Sequence, residues 1–296
     1  MGYLVFARKW RPQTFDQVLA QDHVTVTLQN AIKSRRIGHS YLFTGPRGVG
    51  KTTTARILAK ALNCEKGPTP QPCGECDACV GITRGNHLDV MEIDGASNRG
   101  IDEIRDLRQK ARYASTSGRY KVYIIDEVHM LTKEAFNALL KILEEPPEMV
   151  VFIFATTEPR KVPATILSRC QRFDFRRIPS SVMADYIRTE ASHEGIEIGD
   201  RALMMVCRAS GGSMRDALSI MDQLVSYAGG PIDSDVVSEL LGLVESDLLE
   251  SISSGILTGD ASQALESVAG AMARGHDSVE LLESLVSYLR NLMLVA

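Results

Sequence analysis

With 296 residues, 44% of them apolar and 24% charged, the chain has the make-up of a water-soluble globular protein of about two domains. It holds no run of about 18 apolar residues, so no membrane contact is expected; Met1 to Pro12 carries Arg8, Lys9 and Arg11 but no apolar signal core, which makes the cytoplasm the default location. A net charge of −4 argues against a surface coated in positive charge for nucleic acid, while leaving room for a local basic patch.

The segment Arg8-Lys9-Trp10-Arg11-Pro12 leads through Thr14, Phe15 and Asp16 to a helical pattern from Gln21 to Ile37. There Val24, Leu28, Ala31 and Ile32 recur at three- and four-residue steps, as one buried helix face requires. Trp10 reads as a core residue. A short apolar run, Tyr41 to Phe43, then feeds a glycine-rich stretch that fits G-x-x-x-x-G-K-[ST] in full: Gly45, Pro46, Arg47, Gly48, Val49, Gly50, Lys51 and Thr52, with Thr53 following. Behind it Ile57, Leu58, Ala61 and Leu62 fall on one helical face. Strand, loop and helix in that order make a phosphate cradle. The glycines let backbone N–H groups close on phosphate oxygens, and the helix N-terminus adds a favourable dipole. Lys51 is expected to reach the β- and γ-phosphates of ATP and Thr52 to ligate Mg²⁺. The alternative, a glycine-rich turn ending in a solvated lysine, does not explain the flanking strand and helix.

Next come Cys64, Cys73, Cys76 and Cys79, spaced x8, x2 and x2 among Gly67, Pro68, Pro70, Pro72 and Gly74. Four thiolates complete a tetrahedral Zn²⁺ shell, and a segment this poor in apolar residues needs such a staple. Redox-active thiols and incidental cysteines are the alternatives. With four sulfur ligands no position is left for a substrate water, so the zinc is expected to be structural. Cys170 and Cys207 read as buried small apolar residues.

Leu88 to Asp94 reads as a strand and Gly95 to Gly100 as a loop. Ile101 through Tyr113 reads as a helix, with Ile104, Leu107 and Ala111 on one face and Arg105, Arg108, Lys110 and Arg112 among the rest. Periodicity alone favours a solvated basic face there, although a helix start beside Ser97, Asn98 and Arg99 suits a phosphate. Lys121 to Ile125 is a buried-strand pattern ending in Asp126-Glu127. After a complete phosphate loop, the first carboxylate is expected to support Mg²⁺ and the second to polarise the attacking water. His129 makes the string D-E-x-H found in helicases, but a lone histidine there reads as a packing or hydrogen-bonding residue.

Thr132 caps a helix from Lys133 to Glu145 that Pro146-Pro147 stops. Val150 to Thr156 is a continuous apolar run suited to a central parallel strand, ending in adjacent threonines, Thr156 and Thr157. Leu167 to Cys170 precedes a last strand, Arg172 to Phe175, so the first 178 or so residues form one α/β layer structure. From Pro179 the pattern is all helical: one helix capped by Ser180 or Ser181 and reaching His193, one from near Asp200, and one capped by Ser213 after Gly211-Gly212. Arg215 lies in the first turn of the third, opposing the helix dipole, which suits an anion in front of it. Further helices follow from about residue 243, the last from about Asp277 through Leu292 with Leu281, Leu285, Leu289 and Leu292 in step, and no cap or stop before Ala296, as if the chain cut into a larger helical region.

Taken together, the sequence resembles the γ/τ subunits of bacterial DNA polymerase III, clamp-loader ATPases of the AAA+ superfamily. The resemblance covers essentially the whole chain. Its most specific pieces are Ala7 to Phe15, the four-cysteine insertion, Asp126 to His129, Leu143 to Pro147, Ser168 to Cys170 and Ser213 to Ala217. It implies an α/β AAA+ P-loop domain at 1–178 with a five-stranded parallel sheet of order 5-1-4-3-2 and a zinc insertion at 64–79. A helical lid at 179–242 and the truncated start of a helical collar at 243–296 would follow. It further implies Walker A roles for Lys51 and Thr52, Walker B roles for Asp126 and Glu127, and sensor 1 at Thr156 or Thr157. Arg215 matches sensor 2, and Arg11 and Val18 lie in a segment that flanks adenine.

Arg169 matches an arginine finger presented in trans to a neighbour's ATP; without the resemblance it reads as a surface ion pair. Arg99 and Arg105 match a segment that tracks template DNA phosphates. The expected function is ATP hydrolysis, leaving ADP, coupled to opening the β sliding clamp and loading it on primer–template DNA. The expected assembly is a pentameric ring with delta, delta prime and further γ/τ copies. The intact catalytic positions argue against a nucleotide-dead subunit of the δ′ kind. A DNA helicase, which strand displacement without a clamp would reveal, and a non-catalytic scaffold, which hydrolysis abolished by Glu127→Gln would exclude, are the competing readings.

Overall fold

A computed structural model describes residues 4–111, 115, 118–242, 246–275 and 277–295; Arg112, Tyr113 and Ala296, named above, lie outside them. The chain forms two compact units, Met1–Glu190 with Val206–Asp222, and Ala191–Met205 with Gln223–Ala296.

The first unit is built on five parallel strands: β1 (Ser40–Thr44), β2 (Val90–Asp94), β3 (Lys121–Asp126), β4 (Val150–Thr156) and β5 (Gln171–Asp174). Their order is β2-β3-β4-β1-β5, the order the resemblance implies, read from the other edge. Because β1 and most of β3 and β4 are buried on both faces, they read as continuous apolar runs rather than alternating ones. Alternate residues feed two cores. Tyr41, Phe43, Val122, Ile124 and Ile153 meet α2 (Asp22–Lys33) and α3 (Lys51–Asn63) on one side. Leu42, Tyr123, Phe152 and Phe154 meet α5 (Ile101–Ala111) and α6 (Lys133–Glu144) on the other. The register pairs Asp94 with Asp126, and Thr44 with both Thr156 and Asp174, so a row of polar side chains ends the strands on one rim. Ligands of open α/β sheets bind beyond such a rim.

Several boundaries differ from the periodicity. Helix α2 stops at Lys33 rather than Ile37, because Arg35 takes a left-handed φ of 55° and the N–H groups of Arg35 and Arg36 bond back to Ile32 and Ala31. That is a Schellman end with arginine where glycine is usual. Strand β2 begins two residues later than expected, since the Val90 N–H turns back to the His87 carbonyl and the Asp89 carboxylate takes the Gly118 N–H. Helix α6 ends at Glu144, and β5 is displaced by one residue to Gln171–Asp174. Short helices α1 (Phe6–Lys9), α4 (Asp77–Arg84) and α7 (Ala164–Leu167) are added.

Helices α8 (Ser180–His193), α9 (Asp200–Ala209) and α10 (Met214–Ala228) follow where the sequence placed them, with Gly211 and Gly212 at positive φ before Ser213. In the second unit come α11 (Ser234–Leu241), α12 (Ser246–Thr258), α13 (Ala261–Ala273) and α14 (Ser278–Val295). The last three pack around Leu248, Leu249, Ile252, Ala271 and Leu281. Among the described residues no helix is long and apolar enough to cross a membrane.

Candidate nucleotide site and cysteine cluster

The phosphate loop connects β1 to α3 and is held from both sides. A Cβ at Gly45 would run into the Phe175 carbonyl oxygen, and one at Gly48 into the Ser213 hydroxyl, so both glycines are demanded by close approach as well as by positive φ. The Met214 N–H donates to the Gly48 carbonyl at 3.1 Å, which sets Arg215 against the loop. Lys51 opens α3, 6% exposed, and its ammonium donates to the carbonyls of Gly45 (2.7 Å) and Pro46 (2.6 Å). Next to it the Thr52 hydroxyl donates to Asp126 Oδ2 at 2.7 Å. The pair expected to share Mg²⁺ is therefore already in contact, and the oxygen-rich set suits a hard cation.

Glu127 follows Asp126 in a left-handed conformation, φ 44° and ψ 46°. That bend is permitted because Gly95 lies against it: a Cβ there would come within 2.8 Å of the carbonyl oxygens of Asp126 and Glu127. The Glu127 carboxylate accepts the hydroxyl of Thr157 at 3.0 Å and its N–H at 3.3 Å. Thr156, by contrast, is fully buried; its hydroxyl lies 2.9 Å from His129 Nδ1 and accepts the Glu158 N–H at 3.0 Å. The two threonines that the sequence could not separate thus face different partners. His129 Nδ1 is also 3.3 Å from Glu127 Oε2. The D-E-x-H spacing is visible in the sequence, but only the fold brings the imidazole to Thr156.

An open cleft runs from this carboxylate pair past the loop to an apolar end formed by Trp10, Val18, Ile178, Met214 and Leu218, with Arg11, Arg47, Thr53 and Arg215 also on its walls. Trp10, expected to be core, does both: it stacks on Phe6 and lines the cleft. Burial lowers the Lys51 pKa most, Glu127 and Asp126 raise it, and Arg215 lowers it again. Burial likewise lowers Arg11, with Arg56, Arg215 and Arg8 adding to the effect and Glu92 opposing it. Cations crowded this way hold one another's charge uphill, a strain that a polyanion relieves.

Three predicted residues lie elsewhere. Arg169 forms an ion pair with Glu144 at 2.8 Å and donates to the Thr165 carbonyl, and its own carbonyl accepts the Ser40 hydroxyl at the start of β1. It sits at the opposite end of the strand from the phosphate loop. Arg105 pairs with Asp102 at 3.2 Å, and Arg99 donates to the Ala96 carbonyl.

Cys64, Cys73, Cys76 and Cys79 converge with all four sulfurs within 4.8 Å of one another. Cys64 to Cys73 is 3.6 Å and Cys73 to Cys79 is 4.0 Å. These values bracket the edge of roughly 3.8 Å that a tetrahedron of Zn–S bonds of about 2.3 Å requires. The cluster is compatible with zinc. Backbone N–H groups of Cys76 and Glu75 bring Cys73 down to about 6, while burial pushes Cys79 up.

Known proteins are similar to this chain along most of its length. Residues 20–179 match a family described as DNA polymerase III, delta subunit; residues 185–230 match the ATPase lid domain of DNA polymerase III clamp-loader subunits; and residues 232–296 match domain III of DNA polymerase III subunits gamma and tau. DNA polymerase III subunit gamma of Buchnera aphidicola subsp. Baizongia pistaciae is 42% identical over 88% of this chain and 70% of that protein. The chain belongs to the gamma/tau family of DNA polymerase III clamp-loader subunits. The tau subunits of Bacillus subtilis and Escherichia coli K12 are 47% and 44% identical over 99% and 100% of this chain, which spans 52% and 46% of their lengths. The chain thus spans about half the length of these two tau subunits. Thermotoga maritima RuvB, a Holliday junction branch migration motor, shares the AAA+ fold, with a TM-score of 0.60 at 20% identity over 83% of this chain and 79% of that one.

Proposed function

We propose that this chain is the ATP-binding and ATP-hydrolysing motor segment of a bacterial clamp loader. It would act in a ring with further gamma/tau copies, delta and delta prime to open the sliding clamp and set it on primer–template DNA. The observation that carries the reading is the complete phosphate loop, with Lys51 and Thr52 standing directly against Asp126 and Glu127. The domain limits go with it: a nucleotide domain at 1–178, a lid at 179–242 and the start of a collar at 243–296. Exposed Val279, Leu282, Val286 and Met293 on α14 suit a collar that packs against other subunits.

Lys51 exchanges the carbonyls of Gly45 and Pro46 for the β- and γ-phosphate oxygens. Thr52 and Asp126 hold Mg²⁺, which when bound neutralises charge across those phosphates. Glu127 accepts a proton from the attacking water, held for that task by Thr157. Thr157, half-buried and bonded to Glu127, suits the γ-phosphate sensor better than the fully buried Thr156. Arg215 closes the cleft from α10, and the apolar end with Arg11 and Val18 takes adenine. Arg169 is one strand length, roughly 13 Å, from its own phosphate loop, so it serves a neighbour's ATP in trans. Arg99 and Arg105 take template phosphates, for which Arg105 must leave Asp102. The cysteine cluster binds zinc as a structural staple.

ATP turnover measured with and without sliding clamp and primed DNA tests this reading. Slow basal hydrolysis stimulated by both together is expected. Equal rates in all conditions would reduce the chain to an ATPase of another kind, and strand displacement without a clamp would replace the reading with a helicase.

A further inference from the structure

Among the described residues Lys60 is the most buried lysine, 2% exposed, and it forms no ion pair with any of them. Its ammonium donates to Gln13 Oε1 at 2.8 Å and to Thr83 Oγ1 at 3.4 Å, both neutral. A buried charge without a counter-charge is costly, and proteins rarely keep one. The cysteine cluster adjoins it: the Thr83 hydroxyl donates to the carbonyl of Cys79 at 2.9 Å, in the same helix α4. Four thiolates around one Zn²⁺ carry a net charge of −2, so the loaded cluster supplies the anion that Lys60 lacks.

The other partner of Lys60 leads the opposite way. Gln13 Nε2 donates to the carbonyl of Arg11 at 2.8 Å, and Arg11 lines the nucleotide cleft. Gln13 Oε1 also lies 3.2 Å from the Thr83 hydroxyl. Three side chains, from α3, α4 and the loop before Phe15, therefore join the carbonyl of Cys79 to that of Arg11 on the wall of the nucleotide cleft.

We propose that Lys60 is the buried counter-cation of the metal–thiolate centre, and that through Gln13 and Thr83 it makes metal occupancy position Arg11 and so set the affinity for nucleotide. The inference rests on reading the cleft as an ATP site and the cluster as a zinc site. By linkage the coupling is reciprocal: nucleotide must hold the metal as much as the metal holds nucleotide. Lys60 and Gln13 are positioning residues and touch neither the phosphates nor the metal.

The test uses fluorescent N-methylanthraniloyl-ATP titrated into the zinc-loaded and zinc-stripped chain, together with zinc release to a chromogenic chelator with and without ATP. Stripping is expected to weaken nucleotide binding at least about fivefold, and ATP to slow zinc release correspondingly. In zinc-loaded Gln13→Leu, which leaves cluster and phosphate loop intact, nucleotide should bind more weakly and ATP should no longer slow zinc release. Lys60→Met should release zinc faster without ATP. Equal nucleotide affinity in the loaded and stripped wild type, or full coupling retained in Gln13→Leu, would overturn the inference. Wild type that binds no nucleotide in either state would sink the ATP reading itself, a separate result.

Discussion

Helices α3 and α14 are both rich in apolar side chains, and the fold treats them in opposite ways. Almost every side of α3 is covered: Ala55, Ile57, Leu58, Ala59, Ala61 and Leu62 are all within 1% of full burial, and so is much of the sheet they touch. On α14, Leu281 is buried while Val279, Leu282, Val286 and Met293 are 59–78% exposed. A helix enclosed on all sides fixes the loop at its N-terminus, which is what a phosphate cradle needs to be preorganised. A helix covered on one side keeps apolar surface for a partner. On the proposed function, catalysis and assembly are thereby divided between separate parts of the chain, each of which can be perturbed alone.

The largest expected effect is at the carboxylate beyond the α3 loop. Glu127→Gln should retain ATP binding and lower turnover by roughly 10²- to 10⁴-fold, measured as steady-state phosphate release. Within α3, Leu58→Ala should cost about 2–5 kcal/mol of unfolding free energy in urea titration, whereas Leu282→Ala on α14 should stay within about 0.5 kcal/mol. Equal costs would erase the contrast between the helices. Thr157→Val should lower turnover by about tenfold through lost support of Glu127, a net hydrogen bond of roughly 1.5 kcal/mol to a charged group. Thr156→Val should instead act through His129 and leave turnover less affected. Smallest of all, Leu282→Asp should leave nucleotide affinity unchanged in fluorescence titration while weakening self-association in sedimentation; a loss of nucleotide affinity would mean the two helices are not independent.

The same contrast explains what could be read from the sequence. The phosphate loop, the two carboxylates and the five strands were legible because each is local: a fixed spacing, or an apolar run long enough to cross a buried sheet. The end of α2 was not, since Arg35 takes a conformation that sequence rules assign to glycine. The choice between Thr156 and Thr157 was equally hidden. Thr156 ends β4 and Thr157 lies just past it, and only the positions of His129 and Glu127 decide which hydroxyl meets the Glu127 carboxylate. Lys60 gave no signal at all: a lysine in a helical pattern reads as solvated until the fold closes over it. Arg169 reads from its residues as a surface ion pair, and the fold pairs it with Glu144 on the end of the sheet remote from its own loop; the finger role comes from the family likeness and stands as a proposal.

That remoteness makes Arg169 the sharpest point of attack. In the assembled complex with sliding clamp and primed DNA, Arg169→Ala should leave ATP affinity near that of wild type and lower turnover by about 10³-fold or more, the scale at which a trans arginine stabilises phosphoryl transfer. Stimulated turnover equal to wild type in Arg169→Ala complexes would contradict completion of each site by its neighbour.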